Sequence, residues 1–294
     1  MDEIKEVLKN SNSIIITSHK SPDGDAIGSS LALYHFLKKE GKEVTVIVPD
    51  AFPAFLNWMD GCDSILYYDS QTEISDRLIE KADVIFSLDY NSLTRISDLR
   101  NPIEKSNAIK IVIDHHQEPQ DFANHYFVDT DSCSTCQLVY EFIEKLDKLA
   151  SLDKSIGACI YCGVMTDTGS FRYPSTTAKT HRIIAHLIDL GVENSKIHQA
   201  VYDNASAQRL RLLGYALTEK LVVLKESNAA YISLSQEELK RFSFKQGDTE
   251  DVVNYALSIK GVKFAALLTE QEDMIRLSLR SKDGFYVNKI ANEY

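Results

Sequence analysis

Positive charge is in short supply in this 294-residue chain, where 32 lysines and arginines stand against 43 aspartates and glutamates for a formal net charge of −11. Affinity for phosphate chains is largely electrostatic, so this balance argues against long duplex nucleic acid as a partner and favours short phosphorylated substrates or a metal-lined site. Long apolar runs are missing too. No segment reaches the roughly 18 consecutive apolar residues that a membrane span requires, which sets a membrane partner aside. The opening MDEIKEVLKN is amphipathic and carries acids, unlike a secretory signal or a transit peptide, so the cytoplasm is the expected compartment. Cysteine appears five times, an odd number that completes no disulfide framework and agrees with a reducing environment. No internal repeat or low-complexity segment interrupts the pattern.

What is present is ordinary for a soluble globular protein: 44% hydrophobic and 26% charged residues. The length suits about two domains, each able to bury its own core. Strand patterns fall at residues 13–17, 43–48, 64–67, 83–88 and 108–113, with helical segments between them, the first over residues 25–39 and closed by Gly41. Such alternation predicts an α/β fold with a mostly parallel sheet flanked by helices. Residues 134–190 read as mostly helical. Residues 206–224 form a long amphipathic stretch that reads as a connecting helix, followed by strands near 229–234, 262–270 and 274–281. The expected organisation is an N-terminal domain over 1–191, a connecting helix over 192–224 and a smaller C-terminal αβ domain over 225–294.

The segment IKIVIDHH, residues 109–116, runs a buried strand directly into an acid and two histidines. The carboxyl edge of a parallel sheet is where α/β proteins place their chemistry. Other strand ends add to it: His19, Asp23 and Asp25 follow the first strand, Asp89 follows VIFSL, and Asp167 lies in GVMTDTGSF. Each acid alone could cap a turn or a helix. Together they would repel one another unless protonated or bridged by cations, and mixed Asp oxygen and His nitrogen donors suit Mn2+, Zn2+ or Fe2+ better than Ca2+. Two such metals about 3.5 to 4 Å apart activate water and clamp a phosphoryl group. The constellation therefore reads as a binuclear hydrolase site. A zinc site on Cys133, Cys136, Cys159 and Cys162 is disfavoured, because both C-x-x-C pairs run into helical patterns, and buried free thiols are expected. His35, His125, His181, His186 and His198 lie on or near helical patterns and are expected to pack or face solvent, and Trp58, Phe52 and Phe55 to join a core or an interdomain contact.

The motifs HKSPDGDAIGS, SLDYNSLTR, VIDHH and GVMTDTGSFRY, in this order over the first 190 residues, resemble those of the DHH phosphoesterase superfamily, which includes exonucleases, nanoRNases, family II pyrophosphatases and cyclic-dinucleotide phosphodiesterases. The resemblance implies two Mn2+ per active site. One would sit on His19, Asp23 and Asp89, the other on Asp25, Asp89, His115 and Asp167, with Asp89 as the bridge and an activated water as nucleophile. It also implies that Asp114 orients a neighbouring histidine, that His116 donates to the scissile phosphate, and that Arg95 holds its motif together or faces phosphate. Further on, EDVVNYALSIKGVKFAALLTE and MIRLSLRSKDGFYVNKIANEY resemble the DHH-associated substrate domain of nanoRNases, in which Ser278, Arg280 and Ser281 would grip a terminal phosphate or nucleotide. In such domains a last helix, here YVNKIANEY, leads into a glycine-rich GGGH segment. None stands before Tyr294.

The resemblance implies a Mn2+-dependent phosphoesterase that degrades short RNA oligonucleotides to mononucleotides and dephosphorylates 3′-phosphoadenosine 5′-phosphate. A cyclic or linear dinucleotide phosphodiesterase has the same architecture. A pyrophosphatase or exopolyphosphatase is less favoured, because no lysine- and arginine-rich second domain is apparent. From a different class, a nucleotide-binding regulator without catalysis is disfavoured by the complete ligand set. A homodimer is admitted as the assembly, although no residue specifies it.

Overall fold

Runs of isoleucine and valine build the strands of the first of two compact units, Met1–Asp203 and Asn204–Tyr294. The computed structural model describes residues 1–245, 247–272, 274–282 and 287. In the first unit the strands are β1 (Ser13–Thr17), β2 (Glu43–Val48), β3 (Leu66–Tyr67), β4 (Val84–Leu88), β5 (Ile109–Asp114) and β6 (His125–Val128). They pair in parallel throughout, in the order β3-β2-β1-β4-β5-β6. Between and after them lie α1 (Asp2–Asn10), α2 (Gly24–Lys39), α3 (Thr72–Glu80), α4 (Arg100–Lys105), α5 (Thr135–Lys145), α6 (Lys154–Asp167), α7 (Ala178–Asp189) and α8 (Asn194–Tyr202).

Both faces of the sheet are covered, which explains why its central strands are mostly apolar rather than alternating, with Ser87 and Lys110 among the exceptions. Ile14, Ile16, Phe86 and Ile113 point to one side, against Leu31 and Phe36 of α2, Phe142 of α5 and Ile160 of α6. The intervening Ile15, Ile47 and Ile85 point to the other, against Ile79 of α3 and Ile103 of α4. Helices α2 and α6 approach closely because each carries a glycine at the crossing: a Cβ on Gly28 would lie 2.6 Å from the Cys159 carbonyl oxygen, and one on Gly163 would lie 3.0 Å from Asp25 Cα.

The second unit contains α9 (Ala207–Tyr215), β7 (Leu221–Leu224), β8 (Ala229–Leu234), α10 (Gln236–Arg241), α11 (Val252–Ser258), β9 (Phe264–Glu270) and β10 (Ile275–Ser281). Its sheet runs β10-β9-β8-β7, with the central pair parallel and the outer pairs antiparallel. Ile232, Leu234 and Leu267 pack under Leu239 of α10 and Val253 and Ala256 of α11. The α/β class and the parallel first sheet are as expected from the sequence.

Residues 206–224 depart from the single helix expected there. The helix ends at Tyr215, a π turn covers Ala216–Lys220, and LVVL becomes β7. The β-branched run gains a full ladder with β8, from Leu221↔Ile232 to Leu224↔Ala229, which outweighs the continuing helical pattern. The helix expected over 286–294 lies outside the described residues, Val287 excepted. No helix among the described residues is long and apolar enough to cross a membrane.

Candidate metal centre

The strand order of the first sheet reverses between β1 and β4, and the loops leaving the carboxyl ends of such neighbours open a crevice where α/β proteins bind ligands. After β1 the chain turns through Ser21 at φ 53°. That turn is tied down on two sides: Ser21 N–H donates to Asp50 Oδ1 at 2.6 Å, and Lys20 N–H donates to the Arg95 carbonyl at 2.8 Å. Asp23 then caps α2, its Oδ1 accepting from the N–H groups of Asp25 and Ala26 at 3.0 and 3.1 Å. Asp89 follows β4 in the left-handed region, φ 64°, which an aspartate tolerates better than most residues. Asp114 closes β5, His115 and His116 come next, and Asp167 ends α6.

These segments converge. His19 Nε2 lies 3.3 Å from Asp89 Oδ2 and 4.0 Å from Asp23 Oδ1. His115 Nε2 lies 3.6 Å from Asp89 Oδ1, 3.6 Å from Asp167 Oδ2 and 4.0 Å from Asp25 Oδ2. The side chains form three overlapping groups able to hold a metal ion: His19, Asp23 and Asp89; Asp25, His115 and Asp167; and Asp89, His115 and His116. Asp89 thus offers one oxygen toward each of the first two. Both histidines present the correct nitrogen, since His19 Nδ1 donates to the Lys20 carbonyl at 2.8 Å and His115 Nδ1 to the Ser132 carbonyl at 3.3 Å, which turns each Nε2 toward the carboxylates. His116 Nδ1 donates to Asp114 Oδ1 at 2.7 Å, so Asp114 holds His116 and leaves its Nε2 free.

The charges of this cluster do not balance among themselves. Burial, together with the charges of Asp89 and Asp167, pushes Asp25 well above the usual carboxylate range. Burial also raises Asp167, to about 7, with His115 opposing and Asp23 and Asp89 adding to the rise. For His19, burial favours the neutral ring, but the hydrogen bond to Asp89 and the charges of Asp23 and Asp89 raise it to about 9. For His115, burial is likewise outweighed, here by Asp25, Asp89 and Asp167, and it too rises to about 9. Asp89 moves the other way: burial would raise it, yet its bond to His19 and the charges of His19, His116 and His115 keep it below the usual range. Protons thus collect in the cluster to offset the carboxylate charge. Four aspartates and three imidazoles in one place fit divalent cations of the mixed oxygen and nitrogen class, which would replace those protons.

The remaining sequence-predicted residues lie elsewhere. Arg95 is half-buried after β4, near enough to His19 for its charge to oppose that ring's protonation, and it makes no ion pair among the described residues. Ser278, Arg280 and Ser281 lie on β10 of the second unit. Register puts Ser278 opposite Leu267 and Arg280 opposite Ala265 on one face of that sheet, while Ser281, opposite Phe264, is on the other. All five cysteines are buried and free, and no cysteine belongs to a candidate metal group among the described residues. Burial pushes the Cys133 thiol up to about 11, away from the thiolate a metal needs. His35 bonds the Asp60 carbonyl, His186 the Tyr140 hydroxyl and His198 the Tyr161 hydroxyl, all outside the cluster. Phe52 is buried, and Phe55 and Trp58 pack against the same core. The sequence reading overlooked Thr135, whose hydroxyl donates to Asp89 Oδ1 at 2.9 Å. Its only signal was its place at the start of an amphipathic helix.

Known proteins resemble this chain over nearly its whole length. The chain is 30% identical over 288 residues to the probable bifunctional oligoribonuclease and PAP phosphatase NrnA of Streptococcus mutans, covering 98% of this chain and 87% of that protein. It is 27% identical over 287 residues to the bifunctional oligoribonuclease and PAP phosphatase NrnA of Bacillus subtilis, covering 96% of this chain and 85% of that one. Among solved structures, an exopolyphosphatase-related protein from Bacteroides fragilis superposes with a TM-score of 0.95 at 44% identity, over 99% of this chain and 86% of that one. Residues 13–164, which hold His19, Asp23, Asp25, Asp89, Asp114, His115 and His116, match the DHH family, N-terminal domain, and the chain belongs to that family.

Proposed function

We propose that this protein is a phosphoesterase that hydrolyses short oligoribonucleotides to mononucleotides and 3′-phosphoadenosine 5′-phosphate to AMP, with two Mn2+ held by the cluster. The observation that carries this reading is the shared carboxylate: Asp89 faces His19 with one oxygen and His115 with the other, so that two donor groups meet on one residue. His19, Asp23 and Asp89 would hold one cation, and Asp25, Asp89, His115 and Asp167 the other. Bound there, the pair would supply Lewis acidity and lower the pKa of a water in the crevice. The chain's own residues do the rest. His116, held by Asp114 through Nδ1, offers its Nε2–H to the scissile phosphate, and Arg95 supplies a nearby guanidinium for a phosphate oxygen. Ser278, Arg280 and Ser281, on β10 of the second unit, would bind a terminal phosphate or nucleotide.

The two compact units correspond in this reading to a catalytic and a substrate-binding domain. The chain-length similarity to the NrnA proteins and the acidic balance both support a short substrate, which needs only local cations. We place the protein in the cytoplasm, in keeping with its free thiols, and expect a homodimer, which light scattering measures. The similarity to the exopolyphosphatase-related structure favours polyphosphate as the second substrate class to try. The test is hydrolysis by the Mn2+-loaded protein of a 5′-labelled RNA dinucleotide beside 3′-phosphoadenosine 5′-phosphate, cyclic dinucleotide, pyrophosphate and polyphosphate, with Asp89→Ala and His115→Ala as controls. Mononucleotides from the dinucleotide, lost in both variants, are expected; turnover of polyphosphate or a cyclic dinucleotide alone would overturn the substrate assignment.

A further inference from the structure

The start of α5 directs its donors into the cluster. A helix start leaves its first backbone N–H groups without partners inside the helix. Here Thr135 N–H donates to Asp25 Oδ2 at 2.7 Å and Cys136 N–H to Asp25 Oδ1 at 2.8 Å, while Gln137 N–H is capped by Ser134 Oγ at 3.0 Å. The Thr135 hydroxyl, fully buried, goes to a second carboxylate, donating to Asp89 Oδ1 at 2.9 Å. One helical turn therefore grips two aspartates that arrive from α2 and from the end of β4.

For Asp89 the consequence is orientation. Its Oδ1 faces Thr135, His115 at 3.6 Å and His116 at 3.7 Å, and its Oδ2 faces His19 at 3.3 Å. The terminal torsion of an aspartate is broad and soft, so nothing intrinsic keeps its two oxygens divided between two groups. The histidine atoms nearest them include the very nitrogens that cations would take. Among the described residues, Thr135 is the hydrogen-bond donor to Asp89 that is not itself a candidate ligand.

We infer that Thr135 is a positioning residue whose hydroxyl locks the Asp89 carboxylate with one oxygen toward each donor group, so that the cluster holds a pair of cations rather than one. This rests on the cation-binding reading above. The competing account is that the hydroxyl merely satisfies its own burial and that only the side chain's shape matters. Thr135→Val preserves the shape and removes the donor; Thr135→Ser preserves the donor and removes a methyl group.

The experiment is Mn2+ titration of the full chain followed by electron paramagnetic resonance, with circular dichroism of the metal-free proteins to confirm folding. Wild type should bind two equivalents and show the spectrum of a spin-coupled pair. Thr135→Val should lose about 10- to 100-fold in affinity for the second equivalent, the usual consequence of removing a residue that orients a ligand, and should lose the coupled spectrum while still binding one ion. Thr135→Ser should match wild type. A Thr135→Val protein with wild-type affinity and coupling, or an equal loss in both variants, overturns the inference. Absence of Mn2+ binding by wild type would instead overturn the cation-binding reading on which it stands. Should Thr135→Val fail to fold, Thr135→Cys, a much weaker donor of similar size, replaces it with the same expectations.

Discussion

Replacing Gly163 by alanine tests whether the crossing of α2 and α6 sets the position of Asp25. The added Cβ would lie 2.2 Å from Cys136 Sγ, 2.7 Å from Asp25 Oδ1 and 3.0 Å from Asp25 Cα. Ordinary contacts between such atoms are close to 4 Å, so something must move by more than an ångström. The cysteine side chain is short and fully buried, and the Asp25 carboxylate is already held by two N–H groups of α5. Overpacking of this kind costs about 1 to 3 kcal/mol, here toward the upper end, while alanine in place of glycine inside a helix returns about 1 kcal/mol. A net loss of about 1 to 2 kcal/mol is expected, or roughly 2 to 8 °C in the melting temperature for a unit of this size. Urea denaturation followed by circular dichroism in the presence of EDTA measures the stability term. Mn2+ titration should show the weaker binding at the group containing Asp25, His115 and Asp167 rather than at the one containing His19 and Asp23. Adding Cys136→Ala, which removes the nearest obstacle, should recover part of both losses. A Gly163→Ala protein as stable as wild type, or more so, with unchanged Mn2+ binding would refute the reasoning, since the gain in helix propensity would then stand alone.

Addition of Mn2+ at 100 times its dissociation constant should raise stability by about 2.7 kcal/mol, visible as an upward thermal shift that EDTA reverses and Asp89→Ala abolishes; a shift surviving in that variant would place the ions elsewhere. Asp114→Asn should lower kcat by about 10- to 100-fold with little change in KM, because it disturbs the hydrogen bond that holds His116 without touching Ser278 or Arg280; a change in KM alone would assign Asp114 to binding. In the second unit burial would raise Glu238, but hydrogen bonds from Lys220, the Ser235 N–H and the Tyr215 hydroxyl bring it down to about 2. Its folded value lies below its unfolded one, so its contribution is complete above about pH 4.5 and is lost as the pH falls toward 2. Glu238→Gln should therefore cost about 1 kcal/mol at pH 7, a difference from wild type that narrows in urea titrations between pH 4.5 and 2.5 and would contradict the assignment if it widened there.

Much of the first unit was legible because its physics is local. A strand buried on both faces reads as a nearly continuous apolar run, so β1, β2, β4 and β5 stand out in the sequence within a residue or two of their ends. The acids and histidines directly after them could then be assigned to one edge of a parallel sheet. The short strand β6 is not legible because its four residues, HYFV, none of them fully buried, leave no periodicity to read. Strand β7 was hidden by an amphipathic pattern that its own first residues continue.

The sequence by itself determined the α/β class, the edge on which the chemistry gathers and the residue types that gather there, since alternation and motif order need no distant contact. Tertiary structure alone decided how those residues share their charge and their hydrogen bonds. Thr135 reaches Asp25 across 110 residues and Asp89 across 46, and no local pattern carries such pairings. Which nitrogen each histidine turns toward the carboxylates depends on the carbonyl that lies behind the ring, that of Lys20 for His19 and that of Ser132 for His115. The partners of Ser278, Arg280 and Ser281 likewise follow from register with β9, because only pairing fixes which residues of the neighbouring strand they stand opposite.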